Sequence, residues 1–176
     1  AMENEQLEIA KYLLKSCKAD GSGTLLVLAC EKGDLDLIKA MVEGHDVEKT
    51  GMSVDEMLNR EGKNSSGESA RPIDVAATGL KFDIVVYLAE KGADASGTPL
   101  VRTCEKGGMD LVKALVEGHD VEKTGISVDE MVSKEGKNSR GKSQTPLLAS
   151  ILQGHTAITT YLVKECKVDG SGGPLV

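Results

Sequence analysis

Apolar side chains recur along this chain at the spacing of one helical face. Leu35, Leu37, Ile38, Met41 and Val42 form such a stripe, and Asp34 stands where it can cap the first turn. A shorter apolar run over residues 24–30 comes before it, with Gly33 at the turn between the two. Residues 98–118 repeat this layout, and further hairpins are expected over 72–92 and 146–167. Pro72, Pro99 and Pro146 each fall just inside a helix start, where a missing N–H costs nothing. Gly44 is expected to end its helix in the left-handed conformation.

The pattern also copies itself. Residues 24–71 return as 98–145, including the unbroken strings Glu-Gly-His-Asp-Val-Glu-Lys-Thr-Gly (43–51 and 117–125) and Ser-Val-Asp-Glu-Met (53–57 and 127–131). Self-similarity on this scale marks a repeat architecture, in which each unit buries its apolar face against its neighbours. The connectors alternate between long and short. In the long ones, Ser53 with Glu56 and Ser127 with Glu130 have capping-box spacing, flanked by Met52 and Met57 or Ile126 and Met131 at staple positions. These signals predict extra short helices over 54–60 and 128–134, followed by polar turns at 62–65 and 136–139.

Several segments resemble the ankyrin repeat: Thr98-Pro-Leu-Val, Thr145-Pro-Leu-Leu, the inter-helix Gly154-His155, and Lys91-Gly-Ala-Asp94. The resemblance implies an all-α, ankyrin-type helical-hairpin solenoid with alternating long and short connectors. It divides a single domain, 1–176, into a partial repeat (3–23) and four repeats. These are 24–69 with insertion 48–69, then 70–97, then 98–143 with insertion 122–143, and finally 144–172. The chain departs from the family at two places. Val27, Asp74, Val101 and Leu148 replace the histidine of Thr-Pro-Leu-His, so its hydrogen bonds are lost or replaced. Leu80 replaces the inter-helix glycine, and a reshaped turn is expected there.

The resemblance further implies non-catalytic binding of a partner protein along the concave face. Carried over residue by residue, it gives Glu31, Lys32, Arg102, Glu105, Lys106, Leu152 and Gln153 as groove positions. Met52 and Ile126 join them if the inserted helices extend the groove; otherwise those helices pack back on the stack. The rival reading is a structural spacer or self-assembling rod, because the chain begins and ends inside a repeat. Residues 5–14 and 173–176 would then join end to end.

Composition narrows the classes. A single Phe, no Trp and 2% aromatic residues suit thin layers of helix filled by smaller side chains. The net charge of −7 disfavours nucleic acid and anionic membrane as partners. Cys17, Cys30, Cys104 and Cys166 form no Cys-x-x-Cys pair and read as buried reduced thiols. With no signal-peptide pattern, an intracellular, cytoplasmic setting is expected. His45, His119 and His155 are too sparse for zinc and read as loop residues bonded to backbone groups. Cys30 and Cys104 have no histidine at helical spacing to activate them. No metal, cofactor or catalytic residue is expected.

Overall fold

The computed structural model describes residues 23–168. Cys17, the partial first repeat up to residue 22 and the closing residues from 169 onward lie outside them. The described residues form helical hairpins joined by long and short connectors. The first hairpin is α1 (Thr24–Lys32) and α2 (Leu35–Glu43), and its long connector carries α3 (Val47–Thr50), α4 (Val54–Asn59) and the strands β1 (Gly62–Lys63) and β2 (Ser69–Ala70). Next come α5 (Pro72–Thr78) and α6 (Phe82–Glu90). The second unit repeats the first as α7 (Thr98–Lys106), α8 (Met109–Glu117), α9 (Val121–Thr124), α10 (Val128–Ser133), β3 (Gly136–Lys137) and β4 (Ser143–Gln144). It closes with α11 (Pro146–Leu152) and α12 (Thr156–Lys164).

First helices stack on one another, α1 on α5, α5 on α7 and α7 on α11, while α8 packs against both α6 and α12 on the other layer. Small residues make the inner stack thin: Ala29, Cys30, Ala76, Ala77, Cys104 and Ala149 are all buried between the helices. No layer has a complete interior of its own. One continuous apolar cluster runs from Leu26 to Cys166, as expected of a solenoid whose stability is shared between neighbours.

The inserted helices pack back on the stack. Met57, Leu58, Met131 and Val132 are fully buried, and α4 rests on α5 as α10 does on α11. Ser53 and Glu56 complete the capping box of α4; at α10 the Ser127 hydroxyl accepts from the Glu130 amide. A one-turn helix before each of these was not foreseen. It forms because Asp46 and Asp120 cap it and Gly51 and Gly125 end it in the left-handed region.

The all-α expectation needs one amendment. The predicted polar turns are the tips of two antiparallel ribbons, with Gly62 opposite Ala70 and Gly136 opposite Gln144. Each tip is a short loop closed by a left-handed glycine, Gly67 or Gly141. Two glycine expectations also change. Gly44 has φ −88 and is not left-handed; a Cβ there would lie 2.7 Å from the Ala40 carbonyl oxygen, so close approach explains the glycine. Leu80 keeps the normal turn and takes the left-handed conformation itself, at φ 60.

That conformation crowds a Cβ against the neighbouring carbonyl, and Leu80 is 47% exposed, so little packing offsets it. Leu80→Gly is therefore expected to raise unfolding free energy by about 1 kcal/mol in urea titration; an unchanged or lower midpoint would refute the strain. Gly136 faces the opposite limit. A Cβ there would fall inside the backbone of Gly97 and Thr98, whereas one at Gly125 meets nothing within 4 Å. Gly136→Ala should cost about 2 kcal/mol or more, and clearly more than Gly125→Ala in the same titration.

Candidate functional site

The two ribbons lie on the first helices α1 and α7. Gly62 sits on the backbone of Gly23 and Thr24, and the Lys63 amide donates to Thr24 Oγ1 at 3.0 Å. At the other end of α1, the Glu31 carboxylate accepts from the Ser65 amide at 2.9 Å and from its hydroxyl at 2.5 Å. Asn64 holds the tip together by accepting from the amides of Ser66 and Glu68. The second unit repeats each contact. Lys137 donates to Thr98, Ser139 to Glu105, and Arg140 and Lys142 donate their amides to Asn138. In the repeated string Gly-Lys-Asn-Ser the glycine, asparagine and serine therefore have a structural task, while the lysine supplies only its amide.

The other repeated string is explained in the same way. His45 Nε2 lies 2.8 Å from the Met52 carbonyl oxygen and His119 Nε2 lies 2.7 Å from that of Ile126. Thr50 and Thr124 hydroxyls donate to the carbonyls of Asp46 and Asp120. His155 reaches the Glu105 carbonyl at 3.1 Å, and Lys81 in the equivalent place donates to the Glu31 carbonyl. Both bonds satisfy an acceptor in the last turn of a first helix, where the helix dipole favours a donor. The histidines are thus loop and turn residues bonded to backbone. Among the described residues no group of His, Cys, Asp and Glu could hold a metal ion. Burial pushes the thiols of Cys30 and Cys104 up to about 12, so neither is a nucleophilic thiolate near neutral pH.

The missing histidine of the repeat pattern is replaced once by a charged cluster. Arg71 forks onto Asp74, both contacts at 2.8 Å, and reaches Asp94 Oδ2 at 2.9 Å and the Asp94 carbonyl at 3.1 Å. Lys134 adds a contact to Asp94 at 3.2 Å, and Asn59 accepts from the Asp94 amide at 2.8 Å. The cluster joins α4, α5, the short connector and the end of α10. At the other three positions Val27 and Val101 are buried apolar residues and Leu148 is half-buried.

Between the first ribbon and the stacked helices lies an open groove of about 620 Å³. Its lining includes Glu61, Glu68 and Ala70 of the ribbon, Val75 and Thr78 of α5, and Lys137 of the second ribbon. Of the groove residues expected from sequence, Glu31 alone lines it, and both its carboxylate oxygens are occupied by Ser65. The Ser65 hydroxyl and then its amide hold the Glu31 carboxyl below its usual range.

The remaining expected positions divide by exposure. Lys32, Lys106, Leu152 and Gln153 are exposed, Leu152 by 63%. Met52 and Ile126 are half-buried against the core rather than forming an open apolar patch. Arg102 is a correction: it does not face an open groove. It is 8% exposed, paired with Glu105 at 2.6 Å and directed at the Thr78 carbonyl at 3.4 Å. Glu105 is shared between Arg102 and Ser139. Burial opposes its ionisation, but Ser139 and Arg102 outweigh that and hold its carboxyl below the usual range.

Sequence reasoning missed Glu61, Glu68, Val75 and Lys137 as lining residues. The available signal was the Asn-Ser-Ser-Gly cluster, a turn composition that can close a ribbon. Its flanks, Gly-Lys and Ser-Ala, lack the β-branched or aromatic residues that announce strands.

A family model, "Ankyrin repeats (3 copies)", matches residues 1–97. Among characterised proteins, alpha-latrocrustotoxin-Lt1a of Latrodectus tredecimguttatus is 29% identical over 109 residues. The match takes in 58% of this chain and 7% of that toxin, so the chain spans only a small part of its relative.

Asp94 gives a pH test of the charged cluster. Burial pushes its pKa up, but hydrogen bonding from Ser96 and the charges of Arg71 and Lys134 outweigh this and hold it below the usual range. Its stabilisation is then complete above the unfolded value of about 4 and is lost as pH falls through the native value. Asp94→Asn should lower stability at neutral pH and flatten the acid limb of unfolding free energy against pH; an acid limb of unchanged slope would refute the assignment.

Proposed function

The chain belongs to the ankyrin repeat family, whose repeats generally act as protein–protein interaction modules, and on that premise we propose that it is a non-catalytic module gripping a partner protein in its concave groove. The observation that carries this reading is the groove between ribbon and stacked helices, about 620 Å³ and open along one side. Its walls are held in place before any partner arrives. Gly62 and Gly136 dock the ribbons, Glu31 and Glu105 clamp their tips, and the Arg71–Asp94 cluster ties α5 to the connectors. A partner entering it orders few additional groups, so modest contacts can sum to useful affinity.

Lys32, Lys106, Leu152 and Gln153 are exposed enough to extend that contact along the stack. Leu152 is the large apolar residue with most of its surface free among the described residues. Glu31, Glu105 and Arg102 serve the groove by shaping it: their charges are already engaged within the chain. Met52 and Ile126 act in the same way, seating the inserted helices against the core.

Filling the groove tests the reading. Thr78 is exposed and lines the groove at the end of α5, where a larger side chain projects into open space. Thr78→Trp should fold normally by circular dichroism and reduce recovery of the cognate partner from source-cell extract about tenfold, a loss of about 1.4 kcal/mol. Cross-links from the wild-type complex should map to both walls of the groove. Undiminished recovery by the variant, or cross-links confined to the opposite layer, would sink the proposal.

A further inference from the structure

The two ribbons share a backbone and a docking scheme but differ in charge at their tips. Along the first, Lys63 is followed by Ser66 and Glu68; along the second, Lys137 is followed by Arg140 and Lys142. The second tip thus gathers three exposed cations on a chain of net charge −7. None of the three makes an ion pair among the described residues. Nor does the ribbon need them. Position 137 contributes its amide to Thr98, position 140 its amide to the Asn138 side chain, and position 142 its amide to that side chain and its carbonyl to the Asn138 amide.

A further exchange keeps the tip intact once its charge is changed. In the first ribbon the Asn64 side-chain amide donates to Glu68 at 3.2 Å; in the second, Asn138 donates to Gln144 at 3.0 Å. Gln144 stands where the first ribbon has Ala70, and it supplies the acceptor that Lys142 cannot. The fold is therefore indifferent to the charge at position 142, and the three cations are free to act outward. Lys137 also lines the groove, so a chain lying in the groove passes close to this tip.

We propose that the tip of the second ribbon, through Lys137, Arg140 and Lys142, docks a carboxylate-rich extended segment of the partner protein. The proposal rests on the protein-binding reading above and adds the chemistry of the partner. Clustered cations on a rigid tip steer an acidic segment toward the groove and fix its direction. Their effect is large at low ionic strength and screened by salt. In the first ribbon Glu68 stands where the second has Lys142, and it offsets Lys63, so that tip offers an acidic segment no clustered cation and the contact is confined to the second.

The test uses a fluorescein-labelled peptide of alternating Glu and Gly, with fluorescence anisotropy at about 0.02 M and 0.15 M salt. The whole chain should bind it at low salt with one site and lose affinity at the higher salt. R140S/K142E, which restores the residues of the first tip, should weaken binding on the order of tenfold. S66R/E68K/A70Q, which builds the second tip onto the first ribbon, should add a second site. A gain of stoichiometry cannot come from unfolding. Thr78→Trp should leave peptide binding intact, so failure of the groove reading and failure of this one give different results. Equal binding by wild type and R140S/K142E would overturn the proposal. So would binding of a Lys-Gly peptide, polyuridylate or phosphatidylserine vesicles in preference to the Glu-Gly peptide.

Discussion

Two backbones meet in this chain with no room for a side chain between them, and the seating of the ribbons on the first helices depends on that contact. Where the long connector returns to the stack, Gly62 rests on Gly23 and Thr24, and Gly136 rests on Gly97 and Thr98. Only a residue without a Cβ permits the approach. With that point fixed, Thr24 or Thr98 caps the ribbon's first amide and Glu31 or Glu105 reaches the tip. The ribbon then lies along the whole first helix. A groove appears on its flank because the ribbon is rigid and the next first helix is one layer away.

The remaining polar contacts close the same arrangement from the other side. Inserted helices are held to the stack by buried Met and Leu or Val side chains, and their ends are held by hydrogen bonds to connectors. Arg71, Asp74, Asp94 and Lys134 replace what a single histidine does in the family pattern, but at one interface only. The buried valines elsewhere show that apolar packing suffices where no polar group is left unpaired. Protonation of Asp94 therefore acts at the junction that this cluster ties together.

Duplication sets an internal comparison that few chains offer. Among the positions identical in both units are several whose side chain or missing Cβ builds the turn, cap or docking contact: Gly62 and Gly136, Asn64 and Asn138, Ser65 and Ser139, His45 and His119. Those that differ most in charge are Ser66 against Arg140 and Glu68 against Lys142; the one side-chain bond among them, Asn64 to Glu68, passes to Gln144 in the second unit. Several of these identities thus carry a hydrogen-bonding or close-approach role, while the changes at 140 and 142 leave the ribbon's contacts in place. Leu28 and Arg102 are the exception. Arg102 is buried and bonded, so this difference changes the interior between units instead of the open face.

Helical period, caps and prolines made the hairpins legible in the sequence, because each is set by residues a few positions apart. The capping-box spacing even located the inserted helices to within a residue at their ends. Repetition of the strings established a stack whose units complete one another's interior. The ribbons, the groove and the fate of Arg102 were decided by tertiary structure alone. Gly-Lys and Ser-Ala have no intrinsic preference for strand, and become strands only when a helix terminus supplies partners for their amides. Arg102 and Glu105 are three residues apart and pair on one helix, but the Ser65 and Ser139 that bind Glu31 and Glu105 are 34 residues away in the chain, beyond the reach of any local pattern.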